Sequence, residues 1–198
     1  MAPLARPRPR GLRPLLGIAA LTLLPVVGAF VLYLHPEWAP EGRVHHGELV
    51  EPPQPLADPL LTMQTGEPFS TRAWQGRWTL LRVLGDCGPE CRTDIDTLIR
   101  IHLLLGANQE RLQPAVALFA TGTAPTLRRV MEEFPGTLAL HADGALGADG
   151  KREGPFAAGP GLYVLDPEVR VILRYAPGFD PFGVLEDLKR LLKYSWLG

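Results

Sequence analysis

Residues 15 to 34, LLGIAALTLLPVVGAFVLYL, form a run of 20 residues without a single charge. A helix of that length rises about 30 Å, the thickness of a bilayer's hydrocarbon core. Arg6, Arg8, Arg10 and Arg13 precede the run, with no acidic residue among them. Such a bias holds the N-terminal end in the cytoplasm and sends the bulk of the chain across the membrane. A cleaved signal peptide has a shorter apolar region, roughly 7–15 residues, ending in small residues. Here the run passes instead into Tyr-Leu-His-Pro-Glu-Trp. The expectation is an Arg-rich leader at 1–14 and an uncleaved single-pass anchor at 15–34. Pro25 lies mid-span, and Tyr33 and Trp38 suit the outer interface.

This division gives the net charge of −1 a meaning. Sixteen basic and 21 acidic residues follow the span, so the exported part carries about −5 against a leader of +4. The whole chain's sequence pI is near 6.5 and its exported part is acidic, which gives no case for nucleic-acid binding. Residues 35–59 hold Pro36, Pro40, Pro52, Pro53, Pro55 and Pro59. So much proline predicts an extended linker with little regular structure. His45 and His46 lie within it and read as polar surface, with metal ligation as the alternative.

From Leu60 onward, apolar runs of strand length alternate with helical periodicity. Strands are expected at Leu60–Met63, Trp78–Leu84, Ala115–Ala120, Leu138–His141, Leu162–Leu165 and Val169–Tyr175. Helices are expected at Glu90–Leu105, at Thr123–Phe134 with Thr123 as cap, and at Pro181–Leu192. The Gly-rich stretch 142–161 reads as a long loop. This order argues for an α/β domain at 60–198, a central sheet covered on both faces.

The chain has two cysteines, too few for a disulfide-dense scaffold or a four-thiolate zinc site. They stand in Gly85-Asp86-Cys87-Gly88-Pro89-Glu90-Cys91, between a strand and a helix. Three chemistries fit such a pair in an exported domain: a structural disulfide, a redox-active dithiol, or a soft-metal site. So short a loop makes an inefficient staple. A helix N-terminus stabilises a thiolate, whereas Asp86 and Glu90 oppose one. Asp94 and Asp96 follow on the helix and read as solvated acids, with proton relay as the alternative. His102 shares a helix face with Cys91 but lies about 16 Å along the axis, too far to share an ion with it.

Cys-x-x-x-Cys between a buried strand and a helix, together with LLTMQTGEPFS, WTLLRVL and LYVLDPEVRVILRYAPGFDP, resembles the SCO/SenC family. The resemblance implies a thioredoxin-like fold and a place in the bacterial inner membrane, with the domain in the periplasm. It further implies a role with copper or thiols in cytochrome oxidase assembly. The partner would be the copper-centre subunit of a terminal oxidase or another periplasmic thiol protein. In that role Cys87, taken as the more exposed, attacks and Cys91 resolves the mixed disulfide. In metal mode both thiolates grip Cu(I), a soft ion content with low coordination.

The family's distal copper-ligand histidine falls five residues before the strand tyrosine, and counting back from Tyr163 reaches Ala158. His141 is the substitute ligand the chain offers. Pro160 stands where thioredoxin-like reductases carry a cis-proline facing the dithiol, although Gly159 and Gly161 also suit an ordinary loop proline. The departure favours thiol–disulfide exchange. A copper carrier or assembly scaffold without turnover, and a general periplasmic reductant, remain alternatives. Tyr175-Ala176-Pro177-Gly178-Phe179 is a candidate partner surface.

Overall fold

The computed structural model describes residues 12–35, 38, 45–119, 124–145, 152 and 154–195. Arg6, Arg8 and Arg10 of the leader, Pro36 and Pro40 of the linker, and the Thr123 cap lie outside these residues, as does the side chain of Arg13. The chain divides into two compact units, Met1–Arg43 and Val44–Gly198.

The first unit contains one helix, α1 (Leu12–Leu34), which runs through Pro25. Its stretch Leu16–Leu34 is apolar and long enough to cross a membrane. Thr22 Oγ1 returns its hydrogen bond to the carbonyls of Ile18 and Ala19, so the threonine hydroxyl is satisfied within the helix.

The second unit is an α/β fold around a mixed eight-stranded sheet. Its strands are β1 (Glu48–Pro55), β2 (Leu61–Met63), β3 (Pro68–Phe69), β4 (Trp78–Leu84), β5 (Leu112–Leu118), β6 (Leu138–His141), β7 (Gly161–Leu165) and β8 (Arg170–Tyr175). Their order across the sheet is β1-β8-β7-β4-β5-β6-β2-β3. β4, β5 and β6 run parallel, while β7 and β8 are antiparallel to their neighbours. All seven residues of β4 are buried, as a central strand covered on both faces requires.

Three helices follow: α2 (Cys91–Leu103), α3 (Ala124–Met131) and α4 (Pro181–Tyr194). Leu80, Leu84, Val116, Leu118, Leu162 and Val164 meet Ile95 and Leu98 of α2, Leu127 of α3 and Val184 and Leu188 of α4 in one core. Leu81, Val83, Ala115, Ala117 and Tyr163 face the other way, onto Trp74, Phe119, Phe156 and Leu56. Loops and short 3-10 turns cover that second face.

The expected structureless linker is corrected at its C-terminal half. Glu48–Pro55 pairs with β8 as the sheet's edge strand, with a register shift between Leu49 and Gln54. Proline tolerates this position because an edge strand has one side with no ladder bond to donate. The last hairpin also differs from expectation, since Val169 belongs to the turn. Its φ of 62° is left-handed, and its amide donates to the Asp166 carbonyl at 2.9 Å. Asp180 caps α4 by accepting from the amides of Phe182 and Gly183, with Pro181 opening the helix. Asp180→Ala is expected to cost about 1 kcal/mol of stability, read by chemical denaturation.

Candidate functional site

β4 ends at Leu84, and the chain turns through Gly85, Asp86 and Gly88 before α2 begins at Cys91. The two cysteines are closed as a disulfide, Sγ to Sγ at 2.04 Å. Both are 3% exposed, so exposure does not single out Cys87, contrary to the sequence expectation. The reason is that both side chains join the helix-side core together with Leu84 and Ile95. Cys91 occupies the first position of α2, and its amide donates to the Gly88 carbonyl at 3.1 Å. The helix's partial positive charge therefore acts most directly on Cys91.

A cleft of about 460 Å³ opens here, lined by Arg82, Leu84, Gly85, Asp86, Gly88, Pro89, Glu90, Cys91, Asp94, Pro160 and Pro177. Pro160 thus meets the cysteine loop, and its ring lies against Gly85, where an added methyl would sit 3.5 Å from its Cγ. The cis bonds among the described residues are Glu51–Pro52 and Asp58–Pro59, so the Gly159–Pro160 bond is not cis. Of the loop proposed as a partner surface, Tyr175 is buried, while exposed Pro177 borders the cleft. A second cavity of about 480 Å³, lined among others by Leu49, Trp78, Ile172, Leu191 and Tyr194, contains no cysteine.

Sequence reasoning missed Arg82, although the signal was present as a lone charge in an otherwise apolar buried strand. Its side chain is buried, and Nη2 donates to Asp94 Oδ1 at 2.9 Å. Asp94 is therefore half of an ion pair rather than a solvated acid. Phe179 covers the guanidinium, with its ring centroid 5.6 Å from Cζ. Asp96, by contrast, pairs with Arg100 along the exposed side of α2.

His141 is not brought to the cysteines. It sits on β6, in register with Leu118 of β5 and Thr62 of β2, and does not line the cleft. β6 is two strands from β4, a separation of about 10 Å across the sheet. His141 is buried and its Nδ1 has no partner among the described residues. His102 is partly buried, and burial lowers its pKa. Its Nδ1 also lacks a partner among the described residues. His46 is not mere polar surface. Its amide and the Gly47 amide both donate to Asp187 Oδ2, and its Nδ1 lies 3.2 Å from Asp187 Oδ1.

Among the described residues no group of three or more His, Cys, Asp or Glu is arranged to hold a metal ion. The soft donors of this site are the sulfurs of Cys87 and Cys91, of which Cys91 lines the cleft. Opened by reduction, they suit two-coordinate Cu(I) and lack the nitrogen ligands that Cu(II) prefers.

Comparison with known proteins agrees with this architecture. The structure is similar to apo Sco1 from Thermus thermophilus at a TM-score of 0.56 and 22% identity, covering 76% of this chain and 99% of that one. It is also similar to copper-bound Sco1 from yeast, at 0.54 and 18%, covering 72% and 95%. Copper-bound ScoI from Arabidopsis thaliana gives 0.52 and 14%, covering 68% and 96%. At such identities the likeness establishes the fold. No curated protein matches the sequence. Residues 78–195, which span the strand, the cysteine loop, the cleft and the closing helix, match the family model described as "Transmembrane-like, thioredoxin-like, C-terminal domain". That match covers more than half of the sequence, and the chain belongs to this family.

Proposed function

We propose that this chain is a thiol–disulfide exchange protein, anchored in the bacterial inner membrane by α1 and working in the periplasm through Cys87 and Cys91. One observation carries the reading: the disulfide closes the junction of β4 and α2, beside a cleft of about 460 Å³ that Cys91 lines. Cys87 lies in the turn before the helix, whereas Cys91 stands at the helix N-terminus with Asp94 and Arg82 nearby. The sulfur better able to carry negative charge is the better leaving group. Attack on Cys87 with departure of Cys91 is therefore the favoured direction of opening. The same logic makes Cys87 the sulfur that joins a partner and Cys91 the one that resolves it.

The substrate class fits periplasmic thiol proteins, among them the copper-centre subunit of a terminal oxidase, whose copper-ligand cysteines must be reduced before metal enters. The fold shared with Sco1 proteins supports that assignment. The experiment is equilibration of the full-length chain, in detergent, with a glutathione redox buffer, followed by alkylation and mass measurement. Reversible gain of two alkylated thiols supports exchange. A folded chain whose disulfide stays closed in excess reduced glutathione overturns it.

Cu(I) carriage is the second reading, favoured by the donor set of two adjacent sulfurs. Reduced full-length protein should then take up about one Cu(I) per chain. Uptake no greater than that of a Cys87→Ser variant overturns the carrier reading.

A further inference from the structure

Arg82 holds donors that nothing among the described residues of the oxidised protein uses. Nη2 is bonded to Asp94, but Nε and Nη1 are buried without an acceptor. A guanidinium 5% exposed with unmade hydrogen bonds is costly, and native proteins rarely leave such donors empty. Arg82 shares the helix-facing side of β4 with Leu80 and Leu84, which pack in one core with both cysteines. Asp94 lies three residues after Cys91, on the same face of α2. Arg82, Asp94 and Cys91 line one cleft.

An acceptor that exists in only one chemical state of the site accounts for donors left empty in the other. The Cys91 sulfur is such a group: neutral within the disulfide, it carries negative charge once the bond opens.

We propose that Arg82 is a positioning residue that sets how readily the Cys87–Cys91 disulfide is reduced. It turns its unused donors toward the departing Cys91 sulfur, and Asp94 competes with that sulfur for the guanidinium. The proposal rests on the exchange reading above. In the step concerned, the thiolate of an external thiol such as glutathione forms a bond to Cys87 Sγ. The S–S electron pair leaves on Cys91 Sγ, stabilised by Arg82. A second external thiolate then attacks the external sulfur of the mixed disulfide and releases Cys87. Two external thiols become one external disulfide, and their two protons end on Cys87 and Cys91.

Two variants of this one ion pair should shift the equilibrium in opposite directions. The full-length chain in detergent is equilibrated with glutathione buffers of graded ratio, and the reduced fraction is read by alkylation and mass. Arg82→Met is expected to lower the equilibrium constant for reduction about tenfold, the order of one charge-assisted hydrogen bond. Asp94→Asn is expected to raise it about threefold, because the competing carboxylate is gone. Loss of an ion pair that merely braces the fold would not give opposite signs. If Arg82→Met does not fold, Arg82→Lys keeps the charge without the planar fork and should fall between wild type and a complete loss. Shifts of the same sign, or none, in variants of a wild type that does exchange overturn the role of Arg82 alone. A wild-type disulfide that never opens overturns the exchange reading and this inference with it.

Discussion

Cys91→Ser should stop exchange after its first half-reaction, leaving Cys87 joined to glutathione or to a partner's cysteine. Cys87→Ser should form far less of that adduct. The expected loss of turnover in either variant is on the order of a hundredfold or more, since no second sulfur is left to complete the transfer. The measurement is mass analysis of the alkylation-quenched chain after incubation with oxidised glutathione. The relevant geometry is local: the two residues are four apart, bonded directly, and sit where β4 hands over to α2. A structural staple makes a different prediction. Closing so short a loop contributes roughly 2 kcal/mol at most. If the bond serves stability alone, both serines should cost about that much and neither should accumulate a mixed disulfide. Equal adduct formation by both variants would overturn the assignment of Cys87 as the attacking sulfur.

The second large effect lies away from the cleft. Asp187→Ala should cost about 3 kcal/mol and release the strap that leads into β1. The Asp187 carboxylate is buried on α4 and accepts from the Tyr175 hydroxyl at 2.8 Å and from the amides of His46 and Gly47 at 2.7 and 3.2 Å. Removing it leaves three donors without an acceptor, each worth about 1 kcal/mol or more when buried. Hydrogen exchange over Glu48–Pro55 should speed up more than exchange over β4. Uniform acceleration across the sheet would show a general loss of packing instead.

Burial raises the Asp187 pKa, but hydrogen bonds from Tyr175, His46 and Gly47 outweigh it and bring the net value below the ordinary carboxylate range. Burial, with the same carboxylate second, pushes the Tyr175 hydroxyl well up, so it stays a donor at neutral pH. A depressed folded-state pKa means that the stabilisation is present above about pH 4 and is lost as pH falls through the folded value. An acid-unfolding curve should therefore show wild type losing its advantage over Asp187→Asn at low pH.

Much of this domain could be read along the chain because its determinants are local. WTLLRVL is apolar throughout and is a central strand; Gly106 follows the end of α2; Asp180-Pro181 opens α4. The cysteine spacing and its place between strand and helix were visible for the same reason. Glu48–Pro55 was not, since its prolines argue against a strand and only the free edge of β8 makes one possible. The sequence alone reads His46 as surface because its partner is 141 residues away. Pro160 and Cys91 line one cleft across a long sequence separation that spacing alone can suggest but not establish.

By itself, then, the sequence determined an apolar helix of membrane-spanning length, an α/β domain after it, and one pair of sulfurs at a strand–helix junction. These follow from runs, periods and spacings, which neighbouring residues set among themselves. Only the tertiary structure decided that both sulfurs are equally buried, that His141 lies strands away from them, and that Arg82 faces their cleft with donors unused. Those facts depend on which strands lie side by side and which face each residue takes. Both are outcomes of packing distant segments together, which no local pattern encodes.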